Sequence, residues 1–199
     1  MQLYVGLLLY GLSSSLLVLA GLGLDPWNVF HQGLAEHSSL AIGTWAILVG
    51  VVVLLLWIPL RQRPGIGTVS NVVVVGGTMD VLLGHVSTPH ALGWRIACLL
   101  AGVGLNGVAT GAYIGAGLGP GPRDGLMTGI AARGHSIRVV RTGLELSVLV
   151  TGWLLGGTVG VGTVLYAISI GPLAHVFIPL FSRGTRPAPA PEAAGFAES

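Results

Sequence analysis

Asp25-Pro26-Trp27-Asn28 and Pro122-Arg123-Asp124 are the residues of this chain best suited to holding a polar ligand. Each opens a run of about ten residues after a Gly-rich turn, Gly21-Leu22-Gly23-Leu24 and Gly117-Leu118-Gly119-Pro120-Gly121. Proline at a first helical position is favoured, because its missing N–H would have gone unpaired. Two short helices are therefore expected, Pro26–Glu36 and Pro122–Ala132, with Asp25 as N-cap of the first. A helix N-terminus favours anionic groups. The candidate ligand-binding set is Asp25, Pro26, Asn28, Thr68, Pro122, Arg123, Asp124, Gly125 and Thr163. A second set consists of ionisable residues inside apolar stretches: Asp80, Arg141, Glu145 and His175. Such residues are costly in lipid and mark relay or pathway sites, or simply paired and snorkelling groups. Arg141 and Glu145 share a helix face and can pair.

The simpler roles of the same residues stay open. Thr68 and Thr163 follow Gly-x-Gly, where capping of a tight turn explains them. Asn71 and Asn106 fit interhelical hydrogen bonding. The short helices are equally readable as re-entrant elements lining a polar path or as interfacial connectors. Asp25, His31, Glu36 and His37 lie close in sequence, but such residues are ordinary on a solvated helix, and no metal site or cofactor is expected. No Gly-x-Ser-x-Gly, His-Glu-x-x-His or Walker motif occurs, and the single cysteine, Cys98, excludes a disulfide and a Cys-based zinc site. The reading is not that of an enzyme; action on a lipid or isoprenoid is a distant third choice.

The surrounding elements follow from composition. Of 199 residues, 52% are hydrophobic and 8% charged, against about 25% charged in soluble domains. Mean hydropathy is +0.84. The net charge of +2 is too small and scattered for nucleic-acid binding. A membrane-crossing helix needs about 20 apolar residues. Six stretches qualify, near 3–24, 41–60, 66–86, 96–118, 139–155 and 161–181. The first lacks the basic flank of a cleaved signal peptide. The Pro/Ala-rich end, 182–199, is expected to be a disordered cytoplasmic tail.

Self-comparison exposes a repeat. Gly6, Leu9, Gly11 and the Gly21 turn recur 96 positions later, and Gly65-Ile66-Gly67-Thr68 recurs as Gly160-Val161-Gly162-Thr163 after 95. The expected architecture is all-α and polytopic: two inverted three-span repeats, 1–90 and 91–181, each with a Pro-led short helix after its first span. With six spans, eight arginines fall on one side and Arg95 alone on the other, which puts both termini in the cytoplasm.

At Gly21-x-Gly23-x-Asp25-Pro26-Trp27-Asn28, Gly65-Ile66-Gly67-Thr68 and the second copy at 117–124, the chain resembles the YczE/YitT-like family of bacterial membrane proteins. The resemblance spans about 3–181. It implies a multi-pass protein of the bacterial cytoplasmic membrane and supplies no catalytic residue. Its matching positions here are Asp25, Pro26, Asn28, Gly67, Thr68, Pro122, Arg123, Asp124, Gly125, Gly162 and Thr163. Inverted repeats with short helices are a plan of secondary transporters. The expected function is a small-solute transporter or permease for a small polar or anionic substrate, working by alternating access. The alternative is a non-transporting scaffold or regulator that stabilises a partner complex. The expected partners are the lipid bilayer and the solute; a homodimer is compatible with the small size.

Overall fold

The computed structural model describes residues 1–182, and the expected disordered segment, apart from Ser182, lies outside them. Among the described residues the chain forms eight helices and no strand. They are α1 (Gln2–Ala20), α2 (Pro26–Glu36), α3 (Ile42–Leu60), α4 (Ile66–His85), α5 (Leu92–Gly115), α6 (Pro122–Ala131), α7 (Ile137–Leu154) and α8 (Val161–Phe181). By length and composition α1, α3, α4, α5 and α8 can cross a membrane. The 18-residue α7 is long enough but carries Arg138, Arg141 and Glu145. Large apolar side chains such as Ile58, Val73, Val161 and Ile168 are exposed, as a lipid-facing surface requires.

Helix ends follow local chemistry. α1 stops at Ala20, short of the expected Leu24, because Gly21 turns left-handed at φ 58°. Arg95 then satisfies the freed carbonyls, donating to Ala20 (2.8 Å) and Gly21 (2.7 Å). Asp25 caps α2 by accepting from the Asn28 N–H at 3.4 Å. Gly65 N–H donates to Thr68 Oγ1, and Gly160 N–H to Thr163 Oγ1, both at 3.2 Å.

Helices α1 and α5 cross antiparallel at the centre. Gly6 meets Ala112 and Tyr113, whereas Gly102 meets Leu17 and the Ser13 carbonyl. A buried polar chain ties this crossing to α8. Ser13 donates to the Gly102 carbonyl (2.9 Å), Asn106 Nδ2 to Ser13 Oγ (2.9 Å), and Tyr166 OH to Asn106 Oδ1 (3.1 Å). Each central helix also packs against one parallel neighbour at the same relative position. A Cβ at Gly11 would lie 2.5 Å from Thr78 Cβ, and one at Gly107 2.6 Å from Leu173 Cβ. The Gly turns dock alike: Gly162 N–H donates to Leu22 O (2.8 Å) and Gly67 N–H to Leu118 O (2.9 Å).

The outer pairs differ. Helices α3 and α4 pack closely, with Gly43 against Gly76 and Gly50 against Val72. Thr44 Oγ1 donates to Asp80 Oδ2 across them at 2.6 Å. Helices α7 and α8 stand apart. Gly143 and Gly171, on these two helices, have nothing within 4 Å of an added Cβ.

Candidate functional site

The two short helices point their N-termini at each other. Arg123 Nη1 lies 3.4 Å from Asp25 Oδ1; the Asp25 side chain is 4% exposed and that of Arg123 28%. The guanidinium sits over the Trp27 ring, 5.3 Å from its centroid, a cation–π arrangement. Local chemistry fixes both partners. Trp57 Nε1 donates to the Pro122 carbonyl at 3.0 Å, and its ring fills the space a Cβ on residue 125 would occupy. Glycine at 125 therefore brings α6 onto α3 and aims Arg123 inward.

Behind Asp25 runs a buried chain of hydrogen bonds. Asn28 Nδ2 donates to Asp25 Oδ2, and Asn28 Oδ1 lies 3.2 Å from His31 Nδ1. An amide oxygen only accepts, so Nδ1 carries the proton. Burial, and then the Arg123 charge, push the His31 imidazole down to about 3. His31 is thus a neutral donor that orients Asn28 against Asp25. On the other side, Tyr113 OH donates to Asp124 Oδ2 at 3.1 Å, and Tyr10 packs edge-on against Tyr113 with ring centres 5.9 Å apart.

These groups border a cavity of about 600 Å³, within the range of small-molecule sites. Asp25, Pro26, Pro122, Arg123 and Asp124 line it, together with Tyr10, Tyr113, Tyr166 and Asn71. Its walls between α7 and α8 carry Arg141, Glu145 and His175. Arg141 Nε pairs with Glu145 Oε1 at 3.1 Å, and both are well exposed. A guanidinium has five N–H donors; Arg123 gives the protein one long contact. Asp124 receives a single hydroxyl. The arrangement suits recognition of a polar solute.

The remaining candidates lie elsewhere. Asn28 supports Asp25 from behind rather than lining the cavity. Thr68 accepts from Gly65 and donates to the Pro120 carbonyl at 2.8 Å, and Thr163 accepts from Gly160, so both hold turns. Gly125 packs on Trp57. Asp80 belongs to the α3–α4 contact, where its Oδ1 has no partner. His37 bonds the Gly33 carbonyl at 3.0 Å, apart from His31, and no group of three metal-ligating side chains occurs among the described residues. The residues missed from sequence are Tyr10, Tyr113 and Tyr166, which are hidden among apolar neighbours in long spans. Trp27 carried a signal, since it stands 96 positions before Arg123 and faces it.

Residues 1–179 match a family described as a family of unknown function, DUF6198. The chain belongs to that family. It is 43% identical to an uncharacterized protein of Haemophilus influenzae over 182 residues, covering 91% of this chain and 84% of the relative. It is 34% identical to the uncharacterized membrane protein YczE of Bacillus subtilis over 179 residues, covering 88% and 83%. A second Bacillus subtilis relative, the uncharacterized protein YyaS, is 28% identical over 186 residues, covering 90% and 92%. No solved structure matches. The resemblance to YczE drawn from the Gly-turn motifs is met, and the chain is a membrane protein with several apolar helices.

Proposed function

We propose that the protein is a small-solute transporter of the bacterial cytoplasmic membrane, with a small polar or anionic substrate. It works by alternating access between two inverted repeats. Six helices span the bilayer, α7 included, and both termini are cytoplasmic. The short helices α2 and α6 dip inward and meet at the substrate site.

One observation carries the reading. A pocket of about 40 Å³ is lined by Ala46, Gly50, Asn71, Val72, Val75 and Gly76, on α3 and α4. The residues 95 positions further along are Arg141, Glu145, Tyr166, Ala167, Ile170 and Gly171. All six line the cavity of about 600 Å³. Corresponding walls thus border a small pocket in one repeat and a large one in the other, and Asn71 and Arg123 border both. Exchange of the two arrangements moves access from one face to the other around a fixed site. In the orientation with cytoplasmic termini, the Arg141 end of α7 and the His175 end of α8 open inward, and the Thr44–Asp80 contact seals the outside. A scaffold would favour a solid, Gly-packed interior; the cavity supports transport instead.

The test is uptake into proteoliposomes across broad solute classes, with Arg123→Ala and Asp124→Asn as controls. A Thr44→Cys/Asp80→Cys pair, on a Cys98→Ala background, locks the outer contact. Uptake should stop on oxidation and return on reduction. Uptake that never exceeds empty vesicles overturns transport.

A further inference from the structure

We propose that the cavity binds a small zwitterion, a solute carrying a carboxylate and an ammonium a few atoms apart. The inference rests on the transport reading for its cavity and names the substrate class of that site. It starts from the charges that face the space other than Arg141 and Glu145, which pair with each other. There are two carboxylates and one guanidinium on the short-helix N-termini, and their bonding is unequal. Asp25 is fully engaged, accepting from Asn28 Nδ2, the Asn28 N–H and Arg123. Arg123 is not, since among the described residues most of its donors have no partner. Asp124 is next in sequence, and among the described residues only the Tyr113 hydroxyl reaches its carboxylate.

A simple anion drawn to Arg123 would be held beside Asp124 and Asp25, and like charges at such range disfavour it. A simple cation drawn to Asp124 would face the guanidinium. A solute with both charges meets both groups at once: its carboxylate takes the free N–H donors of Arg123, and its ammonium takes Asp124. The aromatic wall fits the same solute. Tyr10 and Tyr166 border the cavity beside these groups, and aromatic faces attract ammonium groups. The amide oxygen of Asn71 and the hydroxyl of Thr110 also line the space and can accept from the ammonium's remaining N–H groups.

The test uses the full-length protein in nanodiscs. Thermal-shift screening covers the twenty common amino acids and glycine betaine, each singly. For any that stabilise the protein, calorimetry compares the amino acid with its deaminated acid and its decarboxylated amine. The zwitterion should bind at least 10-fold more tightly than either. Asp124→Asn should abolish the preference over the acid, and Arg123→Gln the preference over the amine. Melting without ligand verifies that both variants fold. An acid that binds as tightly as its amino acid, unaffected by Asp124→Asn, marks a plain anion site and overturns the zwitterion while leaving transport intact. A screen in which no zwitterion stabilises the protein also overturns it, and uptake of other solutes would show that transport stands regardless.

Discussion

A single methyl group at Gly76 or at Gly171 distinguishes a protein with one conformation from one that exchanges two. The positions correspond, 95 residues apart, on α4 and α8. At Gly76 an added Cβ lies 2.5 Å from the Gly43 carbonyl and 2.5 Å from Ile47 Cγ1; at Gly171 it meets nothing within 4 Å. Helix propensity favours alanine by about 1 kcal/mol at both and cancels in the comparison. What remains is overpacking at Gly76 alone, about 1–3 kcal/mol. If α3–α4 can open while α7–α8 closes, that cost moves the equilibrium by about 5- to 150-fold. The assay is maleimide labelling of single cysteines on the Cys98→Ala background, at Val49 in the small pocket and at Ala174 in the large one. In the parent, Ala174→Cys should react and Val49→Cys should be protected. Gly76→Ala should raise labelling of Val49→Cys at least about 5-fold and slow that of Ala174→Cys, whereas Gly171→Ala should not expose Val49→Cys. If Gly76→Ala lowers the melting temperature but leaves both labelling rates unchanged, the two-state reasoning fails.

Two further outcomes follow from the site. His31 holds its proton far less readily folded than unfolded, where its pKa is about 6.5. Protonation therefore favours the unfolded chain, so stability is full above about pH 6.5 and falls as pH drops below it, by about 1.4 kcal/mol at pH 5.5. Melting in detergent from pH 7.5 to 5.5 should show that loss, and His31→Gln should reduce the slope. Gly125→Ala should destabilise by about 1–3 kcal/mol because of the Trp57 ring, and Trp57→Leu should recover part of the loss in a double variant, read by melting temperature.

Much of the fold was legible because lipid imposes a simple rule. A backbone without water must bond within its own segment, so long apolar runs become helices. The Pro-led short helices, the Asp25 cap and the Thr68 and Thr163 turns were legible for a different reason: each depends on residues within three positions of one another. Hydropathy carries the first stretch four residues past the end of α1, to Leu24, because Leu22 and Leu24 are apolar, although Gly21-Leu22-Gly23-Leu24 reads as a turn and both glycines adopt positive φ. Among site residues, Arg123 and Asp124 stood out as charges beside a turn, whereas three tyrosines in apolar helices did not.

The amino-acid sequence by itself determined the apolar helices, their caps and the recurrence of its turns, because these arise from composition and near-neighbour contacts. Only the tertiary structure decided that Asp25 meets Arg123 across 98 positions, that Asn28 and His31 stand behind that pair, and that α3 packs on α4 while α7 stands away from α8. Similar stretches can pack in more than one way, and which arrangement each takes depends on the balance of contacts over the whole molecule.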